Sequence, residues 1–274
     1  MIGDREQVYE NIKAAVRLNQ LNSKVEPGDP KLSIQDKEKL LRHYIDYRTA
    51  YGFVVKKYIA EAIFHAGTSA VGFITDVTGL DNLSGMKGPA IVTCNHFSPL
   101  DPAIVRFAMK KAGFGRMSIV NQDTNLAMKG FVGYMQRYAD TMPVSSLRWF
   151  METEFPNQIK NALDENKLVL IYPEQEMWFN YRKPRPCKRG AYLYAVKFNV
   201  PVISLFVEQS VKSTHLHRFR VHVLPVIYPE IGLDERTASI IMQCTDYEQK
   251  CAAYTAAYGK KLTYDFEDGD IVGR

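Results

Sequence analysis

His96 and Asp101 stand five residues apart in Asn95-His96-Phe97-Ser98-Pro99-Leu100-Asp101. An imidazole beside a carboxylate can take a proton from an alcohol: the carboxylate fixes the ring tautomer and favours the imidazolium, leaving the other nitrogen free as the base. On a continuous helix five residues turn through about 140°, so the two side chains would not share a face. Pro99 points instead to a turn that folds Asp101 back against His96. Taken alone, the pair also admits a bland reading, in which Asp101 only caps a helix and His96 is a polar loop residue.

The elements that must position this pair can be read around it. Gly88-Pro89 opens the apolar run Ala90-Ile91-Val92-Thr93-Cys94, a buried strand that ends just before His96. Asp101-Pro102, followed by Ala103, Ile104, Phe107 and Ala108, has the pattern of an Asp N-cap with proline in the first helical position. Further strands are expected over 117–120, 168–172, 202–207 and 220–226, alternating with helical stretches. The expected fold is α/β, a mostly parallel central sheet flanked by helices, with the site at the strand ends. Strand 168–172 runs into Pro173-Glu174-Gln175, which carries Glu174 toward the same crevice. Lys188-Arg189-Gly190-Ala191 begins a helix, whose free N–H groups suit an anion.

This ordered set resembles the PlsC-like glycerolipid acyltransferase family, the 1-acylglycerol-3-phosphate and lysophospholipid acyltransferases. Its hallmark is N-H-x-x-x-x-D, followed by an F-P-E-G block, a K-x-G-A helix start and a V-P-V-I-P strand. The resemblance covers residues 78–227. His96 and Asp101 match the catalytic pair, Pro173 and Glu174 the third block, and Pro201 the fourth; Thr78-Gly79-Leu80-Asp81-Asn82-Leu83 is similar to the family's approach to the catalytic strand. The resemblance implies an O-acyltransferase of phospholipid biosynthesis. It would move a fatty acyl group from acyl-ACP or acyl-CoA directly to the hydroxyl of a lysophosphatidate-type glycerolipid, with His96 as general base oriented by Asp101 and no cofactor beyond the thioester donor.

Two blocks depart from the family. The third continues Gln175-Glu176-Met177-Trp178 instead of G-T-R, and the second reads Thr141-Met142-Pro143-Val144-Ser145-Ser146, where the family closes on an arginine thought to hold the acceptor phosphate. Arg182, Lys183, Arg185, Lys188 and Arg189 could restore the missing charge, with Pro184 and Pro186 keeping the backbone extended. They could equally be a solvated basic loop. The expected substrate-binding residues are Asn95, Ser98, Pro173, Glu174, Gln175, Arg182, Lys188, Arg189 and Gly190. Backbone N–H groups of the 97–100 turn, or of the helix start after Asp101, are expected to hold the oxyanion. An alternative acceptor is a glycolipid or another lipid without phosphate, met by Glu174, Gln175 and Trp178; another alternative is a catalytically silent lipid-binding scaffold. A Ser-His hydrolase using Ser98 is disfavoured because no G-x-S-x-G elbow occurs. A metal site at His96 and Asp101 lacks further ligands at recognisable spacing.

The chain has 274 residues, 46% hydrophobic and 24% charged, enough for one core with appended elements. A formal net charge of +5 is compatible with an anionic membrane surface and gives no reason to invoke nucleic acid. No run approaches 18 apolar residues, and the start Met1-Ile2-Gly3-Asp4-Arg5-Glu6 does not read as a signal peptide. Cys94, Cys187, Cys244 and Cys251 show no metal-type spacing, and the simple expectation is reduced thiols in the cytoplasm.

The organisation expected is an N-terminal helical arm over 1–77, a catalytic domain over 78–260 and a polar tail over 261–274, disordered from 265. A loop at Glu26-Pro27-Gly28-Asp29-Pro30 divides the arm, and 34–50 and 52–74 read as helices. The second of these mixes Phe53, Val54, Val55, Ile59, Ile63 and Phe64 with Lys56, Lys57 and His65, so it either lies on a bilayer or packs on the catalytic domain. Met177, Trp178, Phe179 and Tyr181 also have interfacial composition. Peripheral or monotopic attachment to the cytoplasmic face of the cell membrane follows as the expected location. Residues 234–258 read as a final helix.

Overall fold

In the computed structural model, residues 4–28, 30–212 and 216–274 are described. The expectations on Met1 to Gly3, and on Asp29 within the N-terminal loop, lie outside the described residues. Three helices come first: α1 (Arg5–Arg17), α2 (Ile34–Tyr47) and α3 (Tyr51–Val71). Strand β1 (Thr75–Thr78) follows, then β2 (Ala90–Thr93), α4 (Asp101–Lys111), β3 (Met117–Gln122), α5 (Gly130–Tyr138) and β4 (Thr141–Val144). The chain continues through α6 (Phe155–Asp164), β5 (Leu168–Ile171), α7 (Gly190–Lys197), β6 (Val202–Lys212), β7 (Leu216–Val223) and α8 (Glu235–Tyr258).

The strands form one sheet in the order β1-β7-β6-β2-β5-β3-β4. The run from β6 to β4 is parallel, while β7 pairs antiparallel with β6 and β1 runs parallel to β7. The fold is therefore α/β and mostly parallel, as expected. Two short strands escaped the sequence reading. β4 contains Pro143, which a sheet tolerates because β4 pairs only with β3 and leaves its other edge unbonded. β1 is only four residues long, and it ends at Gly79, where φ is +74° and a Cβ would meet the Val223 carbonyl oxygen at 2.2 Å. Only glycine allows that approach, and Asn82 Nδ2 donates to the same oxygen at 2.8 Å.

The alternation of side chains along each strand builds two cores. Ile91, Val169 and Val202 face one side, against Ala191 and Tyr192 of α7, Ile159 of α6 and Met242 of α8. Ala90, Val92, Leu168, Leu170, Ile203 and Leu205 face the other, against Ala103, Ile104 and Ala108 of α4. Each valine, leucine, isoleucine or methionine among them contributes about 1.5–3 kcal/mol on burial. β2 leads through α4 to β3 on one side of the sheet order, whereas its neighbour β5 leads through α7 to β6 on the other. Their adjacent C-terminal ends are thus a topological switch point, where a crevice opens.

The terminal segments close over this end. Val8, Tyr9, Ile12 and Val16 of α1 form a third core with Trp178, Tyr181 and Ile271. The expected disorder over 265–274 does not hold: Asp270, Ile271 and Val272 are buried, and Ile271 bridges Tyr181. Scattered apolar residues in a polar stretch were enough to dock it. Trp178 and Tyr181, taken from sequence as interfacial, are likewise buried. α3 turns out two-sided: Phe53, Ala60 and Val71 pack inward while Tyr51, Tyr58 and Ile59 are exposed, as is Phe73 just after the helix.

Candidate active site

β2 stops at Thr93, and the Asn95 side chain then continues the sheet: its Nδ2 donates to the Val207 carbonyl at 3.1 Å and its Oδ1 accepts the Val207 N–H at 2.8 Å. Both ends of the amide are engaged, so Asn95 anchors the loop to β6 and is not turned to substrate. Asp101 is not the N-cap that was expected. Leu100 holds that place, Asp101 is the first residue of α4, and its carboxylate turns back over the loop. One oxygen, Oδ2, accepts the N–H of Phe97 at 2.8 Å, the N–H of Ser98 at 3.0 Å and His96 Nδ1 at 2.9 Å. Nδ1 therefore carries the hydrogen and Nε2 remains for a substrate proton.

Asp101 is wholly buried, whereas the His96 side chain keeps 19% of its surface. Burial pushes the Asp101 carboxyl above its ordinary value, and His96 with the Ser98 and Phe97 N–H groups pulls it back part of the way. Ser98 is also spent inside the turn, its Oγ accepting the Leu100 N–H at 3.1 Å. The turn cannot serve as the oxyanion hole that was expected. The N–H groups of Phe97, Ser98, Leu100 and Asp101 all bond within it, and those of Ala103 and Ile104 bond to Leu100.

Glu174 orders the loop after β5. Its Oε2 accepts the His96 N–H at 3.2 Å and Arg185 Nε at 3.0 Å, and its Oε1 accepts the Arg185 N–H at 2.8 Å. Arg185 is fully buried and also donates to the carbonyls of Leu21 and Glu176, with its guanidinium over Trp178. Burial disfavours its charge and Glu174 opposes that loss. Pro173 is buried beside this pair, its carbonyl accepting the Lys188 N–H at 2.7 Å. Gln175 stands where the family pattern has glycine, and it adopts φ +69°, the left-handed conformation that favours glycine.

The five basic candidates separate. Lys183 is buried in an ion pair with Asp270 at 2.7 Å, and Arg182 lies 3.8 Å from the same carboxylate and over the Tyr258 ring. With Arg185 held by Glu174, three of the five serve internal pairs. Lys188 and Arg189 are exposed beside Gly190 at the start of α7, with no ion pair among the described residues. At the tip of β4, Ser145 Oγ donates to buried Asp123, and Lys37 of α2 reaches Asp123 Oδ1 at 3.5 Å and Ser146 Oγ at 3.4 Å. A cation thus stands beside the second block after all, contributed by a helix more than a hundred residues away in sequence. Tyr172, whose ring stacks on His96, also went unread, since a tyrosine closing an apolar strand looks like ordinary core.

Beneath the site, Lys250 and Asp246 of α8 form an ion pair with no solvent exposure, and both bond Thr93 at the end of β2. The Tyr192 hydroxyl donates to the same Asp246. Among the described residues no group of three or more His, Cys, Asp or Glu side chains could hold a metal ion.

Residues 74–208 match the family model described as acyltransferase. They form an acyltransferase domain. The domain includes His96, Asp101 and Glu174, while α1, α2, α3, β7, α8 and the docked tail lie outside the match. A solved structure, the 1-acyl-sn-glycerophosphate (LPA) acyltransferase PlsC from Thermotoga maritima, is similar with a TM-score of 0.48 and 16% identity, covering 78% of this chain and 96% of that one. No curated protein matches the sequence.

Proposed function

We propose that this acyltransferase moves a fatty acyl group from an acyl-ACP or acyl-CoA thioester directly to the hydroxyl of a lysophosphatidate-type glycerolipid. The observation that carries the reading is the His96–Asp101 bond of 2.9 Å, with the carboxylate buried and the imidazole reaching solvent. His96 Nε2 takes the acceptor's hydroxyl proton as its oxygen attacks the thioester carbonyl. The tetrahedral intermediate collapses by breaking the C–S bond, the imidazolium returns the proton to the departing sulfur, and an ester and a thiol result. No enzyme ester is needed, which suits a site whose loop serine, Ser98, is occupied within its own turn. Lys188 and Arg189, exposed at the α7 start, are the cations free to meet an acceptor phosphate.

A second reading keeps the chemistry and changes the acceptor. The commitment of Arg182, Lys183 and Arg185 to internal pairs favours a glycolipid or other lipid without phosphate. The purified protein, given labelled acyl-ACP and acyl-CoA with lysophosphatidate and neutral acceptors, separates these readings, and wild type is compared with Arg189→Gln. A phosphate site requires Arg189→Gln to raise the KM for lysophosphatidate about 10- to 100-fold while the neutral acceptor is unaffected. A wild-type preference for the neutral lipid would favour the second reading, and transfer to none would favour a silent scaffold.

Peripheral attachment to a membrane, at the cytoplasmic face, belongs to the same proposal. Among the described residues no helix is long and apolar enough to cross a bilayer. Tyr51 at 85%, Tyr58 at 74% and Phe73 at 84% exposure on and after α3, with Phe131 and Val132 of α5, give an apolar surface edged by Lys56. A lipid acceptor could reach the site from a bilayer docked there.

A further inference from the structure

The geometry points to Tyr172 as a positioning residue for the reaction: its ring is the platform that fixes the plane of the His96 imidazole. This rests on His96 acting as the general base. The two rings lie 3.9 Å apart between centroids and 15° from parallel, a face-to-face overlap along which the imidazole cannot tilt. Beyond its covalent attachment at Cγ the ring is held by one hydrogen bond, at Nδ1, and the angular tolerance of such a bond leaves some rotation about Cβ–Cγ. A second constraint on the ring face removes the rotation and aims Nε2.

Tyr172 is placed for this by the strand. It is the residue after β5, directly beside the end of β2, and β2 and β5 are paired in register up to Thr93 and Ile171. Its side chain is buried, so it offers substrate little surface. The hydroxyl takes no part: it is buried without a hydrogen-bond partner, and burial together with the Asp101 charge pushes its pKa well up, so it stays neutral. Asp101, on the other side of the hydrogen bond, has no solvent exposure, and its Oδ1 is likewise buried and unpartnered. A dry carboxylate interacts more strongly with the imidazolium formed in the reaction.

The ring face, rather than the hydroxyl, is what the inference assigns, and conservative variants separate the two. Tyr172→Phe should keep kcat within about threefold. Tyr172→Leu and Tyr172→Met, which fill space without a planar face, should lower kcat about 10- to 100-fold with the acceptor and donor KM values within twofold, as misplacement of a catalytic group does. Circular dichroism and thermal melting identify the folded variants to be assayed. A folded Leu or Met variant with kcat near wild type overturns the inference, as does a Phe variant as damaged as Leu. His96→Ala is assayed beside them: if it stays active, the general-base reading itself fails, whatever the Tyr172 variants do.

Discussion

Asp101 Oδ2 holds His96 Nδ1 at 2.9 Å while it accepts two backbone N–H groups of the same loop, from Phe97 and Ser98. The carboxylate that orients the base also shapes the turn carrying it, and both duties fall on one oxygen of a side chain without solvent exposure. His96→Ala should therefore leave the fold intact and reduce transfer about 10²- to 10⁴-fold. Asp101→Asn should reduce transfer strongly as well. Single-turnover assays on protein checked by circular dichroism test both, and a folded His96→Ala protein with near-normal transfer would sink the mechanism.

Two carboxylates should give opposite pH responses. Burial raises Asp101, so in the window from the ordinary carboxylate value of about 4 up to its higher native value the native state holds a proton that the unfolded chain has lost. Its contribution to stability must fall as pH rises through that window, and Asp101→Asn should remove the fall. Asp140 is only partly buried, and Lys57 and Lys167 outweigh that partial burial and hold it below its ordinary value. Its contribution is present above the ordinary value and lost as pH falls toward the native one. Asp140→Asn should accordingly be less stable than wild type at pH 7, with the gap closing in acid. Urea titrations between pH 3 and 7 measure both slopes.

Removing one partner of the buried Lys250–Asp246 pair leaves an uncompensated charge among Thr93, Tyr192 and the β2 end. Lys250→Met should cost about 3–5 kcal/mol. The double variant Lys250→Met/Asp246→Leu should recover much of that loss. Chemical denaturation of the four proteins in the cycle decides it, and a double variant as unstable as the single would contradict the account.

Gln175 adopts φ +69°, so Gln175→Gly relieves left-handed strain. The added freedom of the unfolded chain offsets part of that gain, and a net stabilisation of up to about 1 kcal/mol is expected. A lower melting temperature in the glycine variant would show that the Gln175 side chain makes contacts that matter more.

Tyr58→Asp with Phe73→Asp should weaken sedimentation with anionic vesicles while leaving melting unchanged, because both side chains are exposed. Raised salt should weaken binding further if Lys56 and its neighbours contribute. Unaltered binding by the double variant would move the membrane surface elsewhere on the protein.

The local sequence determined the parts of this protein whose physics is local. The continuous apolar run before Asn95, the proline in the loop and the spacing to Asp101 were enough to place His96 past a strand tip with a carboxylate folded back on it. Short apolar strands between helical stretches were enough for a mostly parallel α/β sheet. The tertiary structure decided which polar groups remain available. Arg182, Lys183 and Arg185 look alike in sequence with Lys188 and Arg189, yet buried Asp270 and Glu174 claim the first three, and partners contributed by distant segments leave no local periodicity. The same holds for Lys37 at the β4 tip, for the tail that docks through Ile271 against Tyr181, and for Tyr172, whose stacking on His96 exists only because β5 pairs beside β2. Charge compensation and ring contact depend on which chain segments meet, and that is set by packing of the whole sheet.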